Sequence, residues 1–166
     1  MIIRSCPPLR ISFAGGGTDL DTYCNKYGGL VLNSTISLYV HCTIEESQDG
    51  NVSFVSHDTN NKSEISSALV LPLNGNLDLF KVIYNRLVRD FIKKPLSFRL
   101  YTYSDVPVGS GLGGSSTLVV CIIKAFVEWL ALPLGEYDIA KLAFDIERND
   151  AGIIGGSQDQ YASTFG

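Results

Sequence analysis

Apolar and polar residues alternate along several short stretches of the first two thirds of the chain. A stretch that alternates in this way, or that is rich in Val, Ile, Thr and Tyr, is predicted to be a strand. The stretches of this kind are Leu9 to Phe13, Leu30 to Glu45 and Val52 to Ser56. The same alternation at residues 96–101 predicts one more half-buried strand. Ser56 to Ser67 is polar and rich in Asn and Ser, which predicts a surface loop.

Other stretches repeat their apolar residues at helical spacing. Such a stripe occupies residues 77–91, a second begins at Leu118 and is ended by Pro133, and a third runs from about Glu136 to Arg148. Together with the strands, these helices predict the α+β class, with helices packed on a mainly antiparallel sheet. Because no repeat or low-complexity linker interrupts the pattern, the sequence predicts one domain over residues 1–166.

Composition narrows the classes of partner. With 166 residues, of which 45% are hydrophobic, the chain can bury a single core. Its net charge of −4 argues against nucleic acid or an anionic membrane as the main partner, since both require a basic surface. The four cysteines are widely scattered, which is typical of reduced structural thiols, and the first residues do not resemble a secretory signal. A cytoplasmic protein is therefore expected.

Glycines and hydroxyl side chains are crowded into residues 105–117, between a predicted strand and a predicted helix. Glycines let the backbone approach phosphate oxygens, and the helix N-terminus attracts an anion, so the segment predicts a phosphate site. Gly109, Gly111 and Gly114 also fit a dinucleotide fingerprint, but Asp105 and Pro107 interrupt the step from strand to loop. A Walker loop is excluded because it needs a lysine after its last glycine, and a capped glycine turn stays an alternative.

The loop sequence Pro-Val-Gly-Ser-Gly-Leu-Gly-Gly-Ser-Ser-Thr at 107–117 resembles the phosphate motif of the GHMP small-molecule kinases. It departs from that motif at Gly114, where a serine is usual. The resemblance implies that the loop binds ATP and that Ser115 helps to bind its Mg²⁺, with Ser116 as the alternative. The implied nucleotide-binding residues are Pro107, Gly109, Ser110, Gly111, Leu112, Gly113, Gly114, Ser115, Ser116 and Thr117.

Residues 9–19 resemble the first motif of the same family, which contacts the sugar in galactokinase. The implied substrate-binding residues are Arg10, Gly16, Gly17, Thr18 and Asp19. Gly16 and Gly17 replace an acid and a histidine of galactokinase, which leaves room for a bulkier sugar. Asp19 could instead be a helix cap or a turn residue.

Residues 147–161 resemble a third family segment. By this resemblance, Glu147 is a magnesium ligand and Asp159 abstracts or orients the proton of the attacking hydroxyl. Arg10 is then the second catalytic residue, because it can hold Asp159 ionised and steady the transferred phosphoryl group. Taken singly, Glu147 could be a solvated helix end, Asp159 a helix N-terminal charge and Arg10 a surface strand residue.

The combined resemblance implies an ATP- and magnesium-dependent kinase of a sugar or sugar phosphate, built on the two-layer fold of the GHMP N-terminal domain (ribosomal protein S5 domain 2-like). Within the family, the chain is most similar to the branch of heptose 7-phosphate and fucose kinases. That branch implies phosphorylation of the anomeric hydroxyl of D-glycero-D-manno-heptose 7-phosphate. The alternatives are a fucose or galactose kinase, or a noncatalytic module that binds a nucleotide or a sugar.

Kinases of this family are about twice as long as this chain, with a second domain that closes the cleft. The resemblance therefore implies that residues 1–166 are the N-terminal domain, which binds ATP and the acceptor. It also implies that activity requires a C-terminal domain absent from the chain.

Overall fold

The computed structural model describes residues 1–166 and contains one mixed sheet of six strands. The strands are β1 Ile2–Ser5, β2 Pro8–Ala14, β3 Leu32–Glu46, β4 Asn51–Ser56, β5 Asn61–Ser66 and β6 Phe98–Ser104. Five of them run in the order β1-β3-β6-β4-β5, and β2 pairs with the first half of the long strand β3. Every pairing is antiparallel except that of β4 with β6, so the predicted α+β class and mainly antiparallel sheet are confirmed.

Five α-helices and a short 3-10 turn at Gly16–Asp19 complete the fold. Wider helical turns at Val88–Ile92 and Ile146–Asp150 extend the second and fourth helices. The three predicted helices are confirmed. The helices are α1 Asp21–Tyr27, α2 Asp78–Leu87, α3 Gly114–Leu130, α4 Glu136–Asp145 and α5 Gln158–Phe165.

The core lies between one face of the sheet and the helices. Alternate residues of β6 point inward, and the ring of Phe98 packs edge-on against Phe126 and Trp129 of α3, at centroid distances of 5.2 and 5.5 Å. Buried residues of α2, α3 and α4 form the opposite layer, with the largest share from α3. Aromatic packing of this kind stabilises the fold beyond its area burial. The long α3 is thereby fixed, with its N-terminus at the end of the loop that follows β6.

The prediction of a surface loop over Ser56 to Ser67 is wrong for residues 61–66, although residues 57–60 do form an exposed turn. Residues 61–66 form strand β5, which pairs antiparallel with β4 from Asn51↔Ser66 to Ser56↔Asn61. β5 is the edge of the sheet, where a strand has one paired side and exposed polar residues are common. Its polar composition therefore did not indicate this strand, which forms by pairing with the neighbouring strand β4.

The cysteines and the helices also bear on the expectations from composition. All four cysteines are free thiols, of which Cys42 and Cys121 are buried. None of the helices combines the length and the apolar character needed to span a bilayer.

Candidate functional site

The glycine-rich loop joins β6 to α3 in a backbone conformation that only glycine adopts easily. Gly109, Gly111 and Gly113 have φ angles of +84°, +77° and +79°. α3 begins at Gly114, so the unpaired N–H groups of its first turn lie at the end of this loop. A Cβ atom at Gly109 or Gly111 would meet no other atom within 4 Å, so the loop backbone is open on that side. These features fit a phosphate cradle.

A cavity of about 460 Å³ lies against the loop. Its volume is in the range of small-molecule sites. Its lining combines apolar side chains with polar groups of the glycine loop and of the β4–β5 turn. Besides loop residues 106–111 and 113–116, the lining residues are Arg10, Val40, Ser56, Asp58, Thr59, Leu77, Phe80, Ser104, Leu118 and Asp159.

Arg10 and Asp159 form an ion pair at this cavity, with 2.6 Å between Arg10 Nε and Asp159 Oδ1. Their side chains are 10% and 21% exposed, so water screens the pair less than it would at the surface. Arg10 Nη1 donates to the carbonyl oxygen of Gly111 at 2.8 Å, which ties strand β2 to the loop. A Cβ at Gly113 would lie 3.3 Å from the Asp159 carboxylate, so this glycine leaves space for the acid.

Glu147 is buried behind the loop, where Ser116 and Gln160 hold its carboxylate. Ser116 Oγ donates to Glu147 Oε1 at 3.0 Å, and Gln160 Nε2 donates to Glu147 Oε2 and, at 3.2 Å, to Ser116 Oγ. Burial raises the pKa of Glu147, although these two donors and Arg148 act in the opposite direction. Ser115 is exposed and makes no such contact with Glu147. Of the two serines left open by the sequence, Ser116 is therefore the one that adjoins the acid.

The buried acid leads to a prediction about stability. An acid whose pKa is raised in the folded state loses part of its contribution to stability as pH rises above its ordinary value of 4.5, because the folded protein must then bury the charge. Glu147→Gln does not titrate, so the difference between its melting temperature and that of the wild type is expected to shift in favour of the variant between pH 4.5 and neutrality. Thermal unfolding measured without nucleotide or metal checks this, and a pH-independent difference would contradict it.

Thr18 and Asp19 lie in a different environment from Arg10 and Asp159. Asp19 accepts hydrogen bonds from Ser157 Oγ at 3.1 Å and from the N–H of Gln158 at 2.8 Å, so it caps the start of α5. Thr18 Oγ1 bonds to the backbone of Gly15 and Leu30.

Both Thr18 and Asp19 line a second cavity of about 590 Å³, which shares no lining residue with the first. Gly16 and Gly17 form the short turn before Asp19 and line neither cavity. The structure therefore brings Arg10 of the first motif to the glycine loop, places Thr18 and Asp19 at the second cavity, and leaves the two glycines outside both.

Gln160 and the residues of the β4–β5 turn were missed by sequence reasoning. Gln160 follows Asp159 directly in the sequence. Its place next to a candidate catalytic residue was therefore the signal that could have identified Gln160. Asp58 and Thr59 gave no signal, because they lie in a polar segment interpreted as an ordinary loop.

Comparison with known proteins assigns the family. The profile of the GHMP kinases N terminal domain matches residues 78–166, just over half of the chain, including the glycine loop, Glu147 and Asp159. The chain belongs to the GHMP kinase family. The Lactococcus lactis galactokinase structure, with 22% identity and a TM-score of 0.84 over 99% of this chain, shares the GHMP fold.

Two GHMP relatives with high identity are named for heptose phosphates. A D-glycero-alpha-D-manno-heptose 7-phosphate kinase of Campylobacter jejuni is 66% identical over 99% of this chain and 48% of its own length. A D-glycero-D-manno-heptose 1-phosphate kinase structure from Bacteroides thetaiotaomicron is 51% identical, with a TM-score of 0.96, over 100% of this chain and 54% of its own. A galactokinase of Thermosipho africanus is 31% identical over 95% of this chain and 42% of its own length. The chain thus spans about half the length of these relatives.

Proposed function

We propose that this chain contains the nucleotide-binding and catalytic residues of an ATP-dependent kinase that phosphorylates the anomeric hydroxyl of a heptose 7-phosphate. The observation that carries the proposal is the Arg10–Asp159 ion pair in the same cavity as the glycine loop. A simple phosphate-binding turn would not need a carboxylate beside it, since an acid repels phosphate. A kinase does need one, because the attacking hydroxyl must lose its proton.

Asp159 has one oxygen available for that proton. Its Oδ1 accepts from Arg10, whereas Oδ2 accepts no hydrogen bond from the protein. We infer that Oδ2 receives the proton of the sugar hydroxyl as the oxygen attacks the γ-phosphate. Arg10 fixes the carboxylate by its Nε and the loop by its Nη1, so the base and the phosphate cradle keep one relative position.

The residues of the cavity fit ATP and Mg²⁺. The loop backbone and the first turn of α3 would hold the phosphates, and the apolar wall that includes Leu77 and Phe80 would accommodate the base. Ser116, at the cavity wall, would bind Mg²⁺, and Glu147 behind it would accept the hydrogen bond of the Ser116 hydroxyl. Mg²⁺ prefers oxygen ligands and retains several waters. When bound, the ion neutralises phosphate charge.

The two serines of the loop give a direct comparison. Ser116→Ala should raise the KM for Mg²⁺ by about 10-fold or more, because it removes the hydroxyl that joins the cavity to Glu147. Ser115→Ala is the matched control, since its exposed side chain makes no contact with the acid. Magnesium titrations of ADP release measure both variants. The opposite ranking would return the metal role to Ser115.

The substrate is tested on the intact protein with a panel of acceptors. The two heptose kinase relatives differ in the phosphate position in their names, so the panel contains heptose 7-phosphate, heptose 1-phosphate, fucose, galactose and mevalonate. Coupled ADP release gives the rates and phosphorus NMR gives the position of the new phosphate. Heptose 7-phosphate should be the fastest acceptor and should yield the 1,7-bisphosphate. A faster galactose or fucose would overturn the substrate, and nucleotide binding without any turnover would favour the noncatalytic module.

A further inference from the structure

Ser116, Glu147 and Gln160 form a closed ring of hydrogen bonds beside the cavity. Ser116 donates to one oxygen of Glu147, and Gln160 donates to the other oxygen and back to Ser116. All three residues are at most 5% exposed, so water cannot replace a missing partner. Ser116 also lines the cavity, whereas Glu147 and Gln160 do not. The ring therefore connects a fully buried carboxylate to one hydroxyl oxygen at the cavity wall.

The chemistry of the three groups fixes the direction of every proton in the ring. An ionised Glu147 only accepts, so both of its neighbours must donate to it. The Gln160 amide must then present its NH₂ group, which has two protons and is able to serve both Glu147 and Ser116. Ser116 has a single proton, and it points to Glu147. One lone pair of Ser116 Oγ stays free.

Gln160 occupies this place at a cost to the fold. With its NH₂ group turned inward, its carbonyl Oε1 is buried and has no hydrogen-bond partner. A buried acceptor without a partner lowers the stability of the fold. The two hydrogen bonds that its NH₂ group donates to Ser116 and Glu147 are what this orphan carbonyl is exchanged for. The role of Gln160 therefore lies in holding these two groups.

We propose that Gln160 is the positioning residue that holds Glu147 and Ser116 in this ring and so orients Ser116 Oγ toward the magnesium ion of a bound nucleotide. This inference rests on the proposed function. Gln160 acts through the other two residues, because it does not itself reach the cavity. Since Asp159 is its neighbour at the first turn of α5, a single helix N-terminus places the base in the cavity and the amide in the ring.

The test replaces the amide by an apolar side chain of similar length, Gln160→Met, in the intact protein. Isothermal titration calorimetry measures the Kd of ATP with and without Mg²⁺. The factor by which Mg²⁺ tightens ATP binding should fall about 10-fold or more, the usual effect of losing a group that orients metal ligands. In turnover assays, the KM for Mg²⁺ should rise by a similar factor while kcat at saturating Mg²⁺ changes less.

Thr164→Val is the matched control. Thr164 is also buried on α5, and its hydroxyl has no hydrogen-bond partner, so it takes no part in the hydrogen bonds of the ring. This variant should keep the wild-type magnesium response. An equal loss in Thr164→Val and Gln160→Met would show a general disturbance of α5 and overturn the proposal.

The remaining outcomes separate this inference from the proposed function. A folded Gln160→Met protein with an unchanged magnesium response overturns the role of Gln160 alone. A wild-type protein whose ATP affinity does not respond to Mg²⁺ overturns the magnesium site of the proposed function. Gln160→Leu repeats the test if Gln160→Met does not fold. If neither variant folds, the residue is structural and the proposal is wrong.

Discussion

Asp159→Asn is expected to lower turnover by about two to four powers of ten, the contribution of a positioned general base. The substitution keeps an oxygen that can accept from Arg10, so the cavity should keep its shape. It removes the basicity of the oxygen that faces the acceptor. Steady-state ADP release gives the rate, and calorimetry should show ATP affinity close to that of the wild type.

Asp150→Asn is the matched control for this prediction. Asp150 also accepts from an arginine, Arg86, at 2.7 Å, and its side chain is 22% exposed, close to the 21% of Asp159. It does not line the cavity, so its loss should leave turnover near the wild-type rate. Turnover that is equal in the two variants would exclude Asp159 as the base.

Gly111→Val should abolish detectable ATP binding. Gly111 has a φ of +77°, where a β-branched residue is strained, and its backbone lines the cavity and bonds to Arg10. Relaxation of that strain would move the backbone, and the added side chain would occupy space beside the phosphates. Calorimetry with ATP and Mg²⁺ measures the loss, and circular dichroism checks the fold.

The matched control places the same kind of backbone strain at a glycine outside the proposed nucleotide site. Gly50 precedes β4 with a φ of +75°, and a Cβ there would meet no atom within 4 Å, as at Gly111. Gly50→Val should therefore lose stability to a similar extent but bind ATP normally, since Gly50 is outside the cavity lining. Normal ATP affinity in Gly111→Val would refute the phosphate cradle.

Local patterns in the sequence were sufficient for most elements of the fold. Alternation at Leu9 to Phe13 and helical spacing after Leu118 correspond to β2 and α3. α3 packs on the core along most of its length, whereas β2 is buried only at its start, since Phe13 is 63% exposed. The edge strand Asn61–Ser66 was missed, since its stability comes from pairing with β4 rather than from an apolar face of its own. The glycines of the loop were recognisable because positive φ angles require this residue type.

The sequence by itself determined the α+β class, the GHMP resemblance and the residue types that phosphate transfer needs. Only the tertiary structure decided which of them meet: Asp159 lies against Arg10, 149 positions earlier, and Glu147 lies against Ser116 and not Ser115. It also turned Asp19 toward the start of α5, away from the ion pair. The physical reason is that helical periodicity fixes which way a side chain faces along its own element, whereas the partner it meets is set by the packing of α3 and α5 against the sheet.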